Sequence, residues 1–234
     1  MADLGEAFAT AFRLLATGDA ELFEIVRLSL AVSGSALVLA ALLGLPLGAA
    51  LAIVRFPGRR AVVALSNALL GLPAVVVGLL VYLLLSRSGP LGALALLFTP
   101  QAMVIAQTVL ITPLVVALTR QVIEELHAEY GDQLRALGAG PLRAVPTLLY
   151  EGRLALATVL LAGFGRAIAE VGSVLIVGGN IAHVTRLMTT AIALETSRGE
   201  LALALGLGIL LLGLSFAVSV AAEGVREVAR RAGA

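Results

Sequence analysis

Long runs of residues without a charged side chain constrain this sequence more than any other feature. They cover residues 28–54, 61–86, 88–119 and 201–222. About 20 residues of α-helix cross the roughly 30 Å hydrocarbon core of a bilayer, so each run is long enough to span a membrane. Of all residues, 60% are hydrophobic and 13% are charged, whereas a soluble domain is nearer half apolar and a quarter charged. The sequence therefore indicates an all-α, multi-pass membrane protein.

We predict about five transmembrane helices, at approximately 26–54, 61–86, 101–119, 154–179 and 201–224. The run at 88–119 is too long for one simple span, so we assign residues 88–99, which are rich in Gly and Pro, to an outer loop or re-entrant turn. Residues 180–200 are too polar to span. Their apolar core predicts a short helix dipping in from the outer face, at a depth that the sequence leaves open.

The distribution of arginine predicts the orientation. With the N-terminus outside, the inner segments hold 10 of the 16 arginines; these segments are 55–60, 120–153 and 225–234. Cytoplasmic loops carry an excess of Lys and Arg, so the C-terminus is predicted to be cytoplasmic. We divide the single membrane domain, residues 1–234, into an outer segment (1–25), three spans (26–119), a cytoplasmic loop (120–153) and two spans with a tail (154–234). Residues 5–17 form either an amphipathic surface segment or a disordered tail.

Residues 120–153, the polar loop, contain four arginines and five carboxylates in an otherwise apolar chain. Apolar residues recur at helical spacing as far as Gly138, Gly140 and Pro141, which break helices. The pattern predicts a helix, a sharp turn and a second short helix. Loops longer than about 12–15 residues tend to be functional, which favours a docking surface for a soluble partner. An ordinary solvated connector is the alternative.

The polar loop resembles the cytoplasmic loop of permease subunits in bacterial ABC importers. That loop reads Glu-Ala-Ala, three residues and Gly, then about nine residues and an apolar-x-Leu-Pro ending. Here Asp132 takes the acidic position and Gly138 the glycine, while other residues replace the two alanines. Tyr150 and Glu151 stand where Leu-Pro is expected. Later strings resemble permeases of molybdate and tungstate importers: Phe164–Gly172, Val177–Ile181, Thr185–Ile192 and Leu194–Thr196. The variant Tyr150-Glu151-Gly152-Arg153 and the string Thr189–Thr196 resemble the tungstate branch more closely.

The resemblance implies a type I ABC importer permease fold in a bacterial or archaeal plasma (inner) membrane, with lipid around it. It implies a second copy of the chain, two ATPase subunits that bind ATP and Mg, and an extracytoplasmic oxyanion-binding protein. It also implies a coupling helix that docks on the ATPase, with these candidate residues: Asp132, Leu134, Arg135, Leu137, Gly138, Ala139, Gly140 and Arg143.

No enzymatic activity is expected of this chain. It has no Lys and therefore cannot supply the lysine of a phosphate-binding loop, so ATP hydrolysis must belong to a partner. No Cys is present for a thiolate metal site, and a net charge of +1 gives no case for nucleic-acid binding. We expect neither a cofactor nor a metal on this chain.

Five polar residues near the later spans are candidates for the transport pathway or a gate. Arg166 and Glu170 are four apart and so share a helix face, either as a structural ion pair or with Arg166 as an anion contact. Asn180, Thr189 and Thr190 can donate hydrogen bonds to an oxyanion without adding charge. The alternative for Gly178-Gly179-Asn180 is a helix cap.

Three functions follow in decreasing preference. The first is the permease of an ABC importer for tungstate, and the second is the same architecture for molybdate or sulfate. The third is a membrane protein outside transport with a regulatory cytoplasmic loop. Convergent nucleophile or His clusters, which an enzyme would need, are absent from the predicted spans.

Overall fold

The computed structural model describes residues 9–10, 12–13, 16–18 and 20–232, and this part of the chain is helical with no strands. Our prediction for residues 5–17 lies largely outside the described residues. The α-helices are α1 (Ala20–Ile53), α2 (Arg59–Ala68), α3 (Ala74–Leu85), α4 (Pro100–Ala136), α5 (Pro141–Glu151), α6 (Arg153–Ile168), α7 (Gly172–Gly178), α8 (Met188–Arg198) and α9 (Leu201–Ala232). Short 3-10 turns cover Leu69–Gly71 and Gly92–Leu94. The predicted all-α class is confirmed.

Three helices, α1, α4 and α9, are long and apolar enough to cross a membrane. The number rises to five when each of two bent helix pairs counts as one span, by length and composition alone. The prediction of about five spans agrees with this range. Helix α8 supplies the short helix that we predicted within residues 180–200.

Two of the predicted spans are interrupted. Residues 61–86 were expected to form one helix, but α2 and its 3-10 extension end at Gly71, and α3 begins only at Ala74. The reason is Pro73, which has no N–H to donate and disfavours helical geometry at the residue before it. Leu72 accordingly has φ −59° and ψ 124°, outside the helical region.

The expected helix over 154–179 is also wrong, because residues 169–171 separate α6 from α7. At this break the side chain of Glu170 accepts a hydrogen bond from the backbone N–H of Ser173, at 3.0 Å. The hydroxyl of Thr189 donates to the carbonyl of Glu170, at 2.7 Å. These bonds to side chains satisfy backbone groups that a continuous helix would have paired internally.

The chain forms two compact units. The first comprises Met1–Ala36, Pro73–Gln107 and Arg166–Ala217. Within it, α3 packs against α7, and a Cβ added at Gly78 of α3 would lie 2.7 Å from the Cα of Ser173 in α7. Each helix also carries buried valines: Val77, Val81, Val174 and Val177. A buried hydrogen bond from Gln107 Nε2 to the carbonyl of Ala167, at 3.0 Å, ties α4 to the end of α6.

The second unit comprises Leu37–Leu72, Thr108–Gly165 and Val218–Ala234. Its apolar cluster joins the ends of α1, α4 and α5 and contains Ala49, Ile53, Ile123, Ala144 and Leu148. Helices α1 and α4 approach closely at Gly44 and Gly48. A Cβ added at Gly48 would lie only 2.6 Å from the carbonyl oxygen of Val116, so a larger residue would not fit without a shift. Gly44 and Gly48 are four residues apart and lie on one face of α1, a spacing of small residues that commonly allows close packing of membrane helices.

Candidate coupling and pathway sites

The polar loop has the predicted helix–turn–helix form. Helix α4 continues through the loop to Ala136, and Gly138 follows with φ +77°. The N–H of Ala139 donates to the carbonyl of Leu134, and that of Gly138 to Arg135, each at 2.9 Å. This paired bonding around a left-handed glycine is the Schellman motif, which closes a helix C-terminus. The sharp turn of residues 137–140, called the tight turn below, is thus specified by Gly138.

Helix α5 begins immediately after the tight turn. Pro141 occupies its first turn, where a missing N–H costs nothing and the fixed φ suits a helix. Ala144 and Leu148 of α5 lie in the apolar cluster of the second unit. Because these side chains are buried against α1 and α4, helix α5 is packed onto both helices. The tight turn that precedes α5 therefore has a fixed position.

Most of the candidate coupling residues are at the surface of this unit. The side chain of Leu137 is 83% exposed at the tip of the tight turn. Asp132 and Arg135 form an exposed ion pair with each other. The guanidinium of exposed Arg143 has no partner among the described residues. The tip of the tight turn thus presents one exposed apolar side chain beside charged groups.

Two cavities border the tight turn. One, of about 570 Å³, is lined by Val54, Gly138, Gly140, Pro141 and Arg143. The other, of about 400 Å³, brings Arg55 and His127 together with polar-loop residues that include Leu134, Arg135 and Ala139. All eight candidate coupling residues lie in or beside this region. Our sequence reasoning missed the contribution of Val54 and Arg55, for which the cluster of three arginines over 55–60 was the available signal.

A charged network holds the start of α2 against α4. Glu124 accepts hydrogen bonds from Arg59 and from Arg120, each at 2.6 Å. Arg59 Nε also donates to the carbonyl of Leu51 at 2.7 Å, and Nη2 to that of Ala52 at 3.3 Å. These carbonyls belong to the last turn of α1, where orphan acceptors and the negative end of the helix dipole favour a cation.

The departure from the Leu-Pro ending lies at the junction of α5 and α6, whose axes bend by 78°. The Arg153 guanidinium lies 4.4 Å from the centroid of the Tyr150 ring, and Arg153 Nη1 donates to the carbonyl of Tyr150 at 2.9 Å. A cation over an aromatic face is attractive.

In the first unit, Glu170 is the centre of the pathway candidates. Its carboxylate is 2% exposed, accepts from Arg166 Nη1 at 3.3 Å and accepts the Ser173 N–H. The Arg166 side chain is 46% exposed. The predicted ion pair is therefore present, although α6 ends before Glu170. The Glu170 carboxylate thus accepts charge-assisted hydrogen bonds from both a cation and a backbone N–H, a strong class of hydrogen bond.

Asn180, Thr189 and Thr190 lie close to this centre, and their polar groups are largely used within the chain. Thr189 donates to Glu170, as described above, and Asn180 Nδ2 donates to the carbonyl of Thr190 at 3.2 Å. Thr190 Oγ1 accepts the N–H of Leu187 at 3.0 Å. Gly179, with φ +71°, caps α7, so the capping interpretation is confirmed. An anion contact at any of these residues stays a prediction.

Polar contacts also join the start of α1 to the segment that leads into α8, which sequence reasoning missed. His183 Nδ1 is 2.8 Å from Glu24 Oε2, and Arg186 Nη1 is 3.2 Å from Glu21 Oε1. Ser29 Oγ accepts the N–H of Met188 at 2.8 Å. These contacts fix the non-helical segment 181–187 to α1 along its length.

The contact between His183 and Glu24 predicts a measurable titration. The Glu24 hydrogen bond and charge raise the pKa of His183, and Glu21 raises it further, while burial and Arg186 lower it. The contact's contribution to stability is therefore complete below the ordinary pKa of about 6.5 and is lost as pH rises through the raised value. We expect Glu24→Gln to lower the titration midpoint of His183 in histidine-ring NMR. The chain has two histidines, so the signal that disappears in His127→Gln belongs to His127 and the other to His183. An unchanged His183 midpoint in Glu24→Gln would contradict the prediction.

The apolar helices and the helix–turn–helix polar loop are those of a multi-pass membrane protein with a polar surface outside the predicted spans. A family described as binding-protein-dependent transport system inner membrane component matches residues 44–225, and this chain belongs to that family. The predicted class and its inner-membrane location are thereby confirmed.

Curated relatives align over nearly the whole chain. The tungstate uptake system permease protein TupB of Peptoclostridium acidaminophilum is 39% identical over 224 residues, covering 96% of this chain and 98% of the relative. A probable anion ABC transporter permease protein of Haloferax volcanii is 40% identical, covering 92% and 96%. The Campylobacter jejuni protein that is also named TupB is 38% identical, covering 92% and 90%. The resemblance to the tungstate branch is confirmed at the level of sequence similarity.

Proposed function

We propose that this chain is the pathway subunit of an ABC importer that moves tungstate into the cell. Two copies of the chain form the pathway, two separate ATPase subunits supply the energy, and an extracytoplasmic binding protein delivers the anion. The observation that carries this proposal is the near full-length similarity to two permeases named for tungstate uptake. Such coverage leaves little of the chain for an unrelated function.

The structure of the polar loop supports its role as the coupling element. The exposed Leu137 presents an apolar side chain to a partner, and the Schellman turn behind it fixes its direction. The base of α5 is packed on α1 and α4 through the apolar cluster. Movement of a docked ATPase is therefore passed to transmembrane helices and is not absorbed by a flexible loop.

The pathway candidates suit a cargo that must be released. Tungstate is an oxyanion, and a deep positive well would trap it, whereas conduction needs binding that is weak enough to reverse. Arg166 is paired with Glu170, so its positive charge is compensated. A transit contact from Asn180, Thr189 or Thr190 would exchange a hydrogen bond made within the chain for one to the anion, which keeps such a contact weak. The same chemistry admits molybdate or sulfate, which remain the alternative cargoes.

Direct uptake measurements test the cargo. We expect a strain that lacks this chain to lose high-affinity tungstate accumulation, measured by elemental mass spectrometry, and to regain it when the chain is restored. Excess molybdate and sulfate are added in parallel as competitors. Accumulation of molybdate or sulfate that depends on the chain, with tungstate unaffected by its loss, would contradict the tungstate assignment and leave the importer class standing.

A further inference from the structure

The turn after α1 shares a surface with the tight turn of the polar loop. Val54 lines both cavities beside the tight turn, and Arg55 lines the smaller one. These two residues are about 80 positions away from Gly138 in the sequence. A partner that covers the tight turn therefore meets Val54 and Arg55 as well.

This turn is held in a defined position. Arg59 at its end bonds two carbonyls in the last turn of α1 and also bonds Glu124 of α4. Glu124 is in turn held by Arg120. The turn is thus fixed to α4, the helix that carries the tight turn, so a contact made at Arg55 is rigidly linked to the coupling element.

Of the arginines on this surface, one has a carboxylate partner among the described residues and two do not. Arg135 is neutralised by Asp132 on its own helix. Arg55 and Arg143 are exposed, and neither guanidinium has a carboxylate partner among the residues that the structure describes. A planar guanidinium binds a carboxylate through two parallel hydrogen bonds, which makes an unpaired arginine at an interface a recognition element.

We infer that the turn of residues 54–58 is a second contact for the ATPase subunit, in which Arg55 pairs with a carboxylate of that subunit. The inference rests on the proposed function, in which the polar loop docks on the ATPase. A protein partner is favoured over a lipid headgroup because the Arg55 cavity is shared with His127, Leu134 and Ala139 of the polar loop. Residues 120–153 lie outside the predicted spans, so a partner that covers the polar loop also covers this cavity.

Cross-linking tests this contact directly, because the chain has no native cysteine. Leu137→Cys, Arg55→Cys and Arg60→Cys are each labelled with a thiol-attached photo-cross-linker in permease reconstituted in nanodiscs with its ATPase. Arg60 is the matched control: it is an exposed arginine in the first turn of α2 and lines neither cavity. We expect cross-links to the ATPase from positions 137 and 55 and none from position 60.

The outcomes separate the inference from the proposed function. No cross-link from position 137 would overturn the proposed docking of the polar loop. A cross-link from 137 with none from 55 would overturn only the present inference. A cross-link from 55 to lipid in place of the ATPase would also overturn it, and would assign Arg55 to the membrane surface.

Charge reversal provides an independent measurement on the same complex. We expect Arg55→Glu to weaken ATPase binding about tenfold at low salt and less at high salt, since the lost pair is electrostatic and exposed pairs are screened. Arg60→Glu should bind as the unmodified chain does. Equal weakening by both variants would contradict a specific contact at Arg55. The elution profile of each permease in detergent confirms that the variants are folded.

Discussion

Replacing Gly138 with valine is expected to reduce uptake strongly while the permease remains in the membrane at its normal level. Gly138 has φ +77°, which a β-branched residue adopts only with strain. The cost is roughly 1–2 kcal/mol, and 1–2 kcal/mol changes a conformational population by a factor of about 5–30. The strain is confined to the tight turn, so the helices still insert and pack. Uptake by whole cells and the amount of permease in membranes measure the two effects separately.

Two controls show whether the backbone or the bulk of the side chain matters at this position. Asparagine is close to valine in size and tolerates the left-handed conformation, so Gly138→Asn should retain much of the uptake. No atom lies within 4 Å of a Cβ built at either Gly138 or Gly140, so neither position is crowded within this chain. Gly140 has φ −69°, and Gly140→Val adds bulk to the same cavity without that strain.

The pattern of uptake loss across the three variants distinguishes backbone geometry from side-chain bulk. Loss with valine at 138, but not with asparagine there or valine at 140, identifies the Schellman geometry as the requirement. Equal loss in all three variants identifies close approach of the partner surface instead. Normal uptake with valine at 138 would contradict the coupling role of the tight turn.

The tight turn was predictable because its cause is local. Gly138 and Pro141 act on the backbone next to them, one by permitting a positive φ and the other by starting a helix. The apolar runs were predictable for a similar reason, since a hydrocarbon core selects continuous hydrophobic segments whatever their neighbours are. The candidate coupling residues followed from these local signals and from the family resemblance.

The helix break at residues 169–171 was not predictable from local signals. Glu170 accepts from Ser173 nearby, but its carbonyl is satisfied by Thr189 of α8, and the carbonyl of Ala167 by Gln107 of α4. These partners are distant in sequence, and only the folded chain brings them together. Arg55 was missed for a similar reason: the arginine cluster over 55–60 marks a charged loop, but only the fold shows that Arg55 lines a cavity with polar-loop residues such as Leu134 and Ala139.

Glu170→Gln is expected to reduce the yield and thermal stability of the permease while leaving uptake per folded molecule near normal. Glutamine keeps an oxygen that can accept the Ser173 N–H, but it cannot neutralise Arg166. A hydrogen bond to a charged group contributes about 1.5–3 kcal/mol, and the effect should fall at the lower end because Arg166 is half-exposed. Membrane abundance, unfolding temperature in detergent and uptake normalised to abundance are the measurements.

The double variant Arg166→Met/Glu170→Gln decides between the two roles of this pair. If the pair is structural, removing both charges leaves no unpaired cation, and part of the lost stability returns. Arg166→Met alone should then lower abundance because it leaves the buried Glu170 carboxylate without its cation. If Arg166 instead contacts the anion, Arg166→Met and the double variant both lose uptake while their membrane abundance stays normal. Uptake then does not recover in the double variant. A permease that is abundant and stable with glutamine at 170 but does not transport would place Glu170 in the pathway.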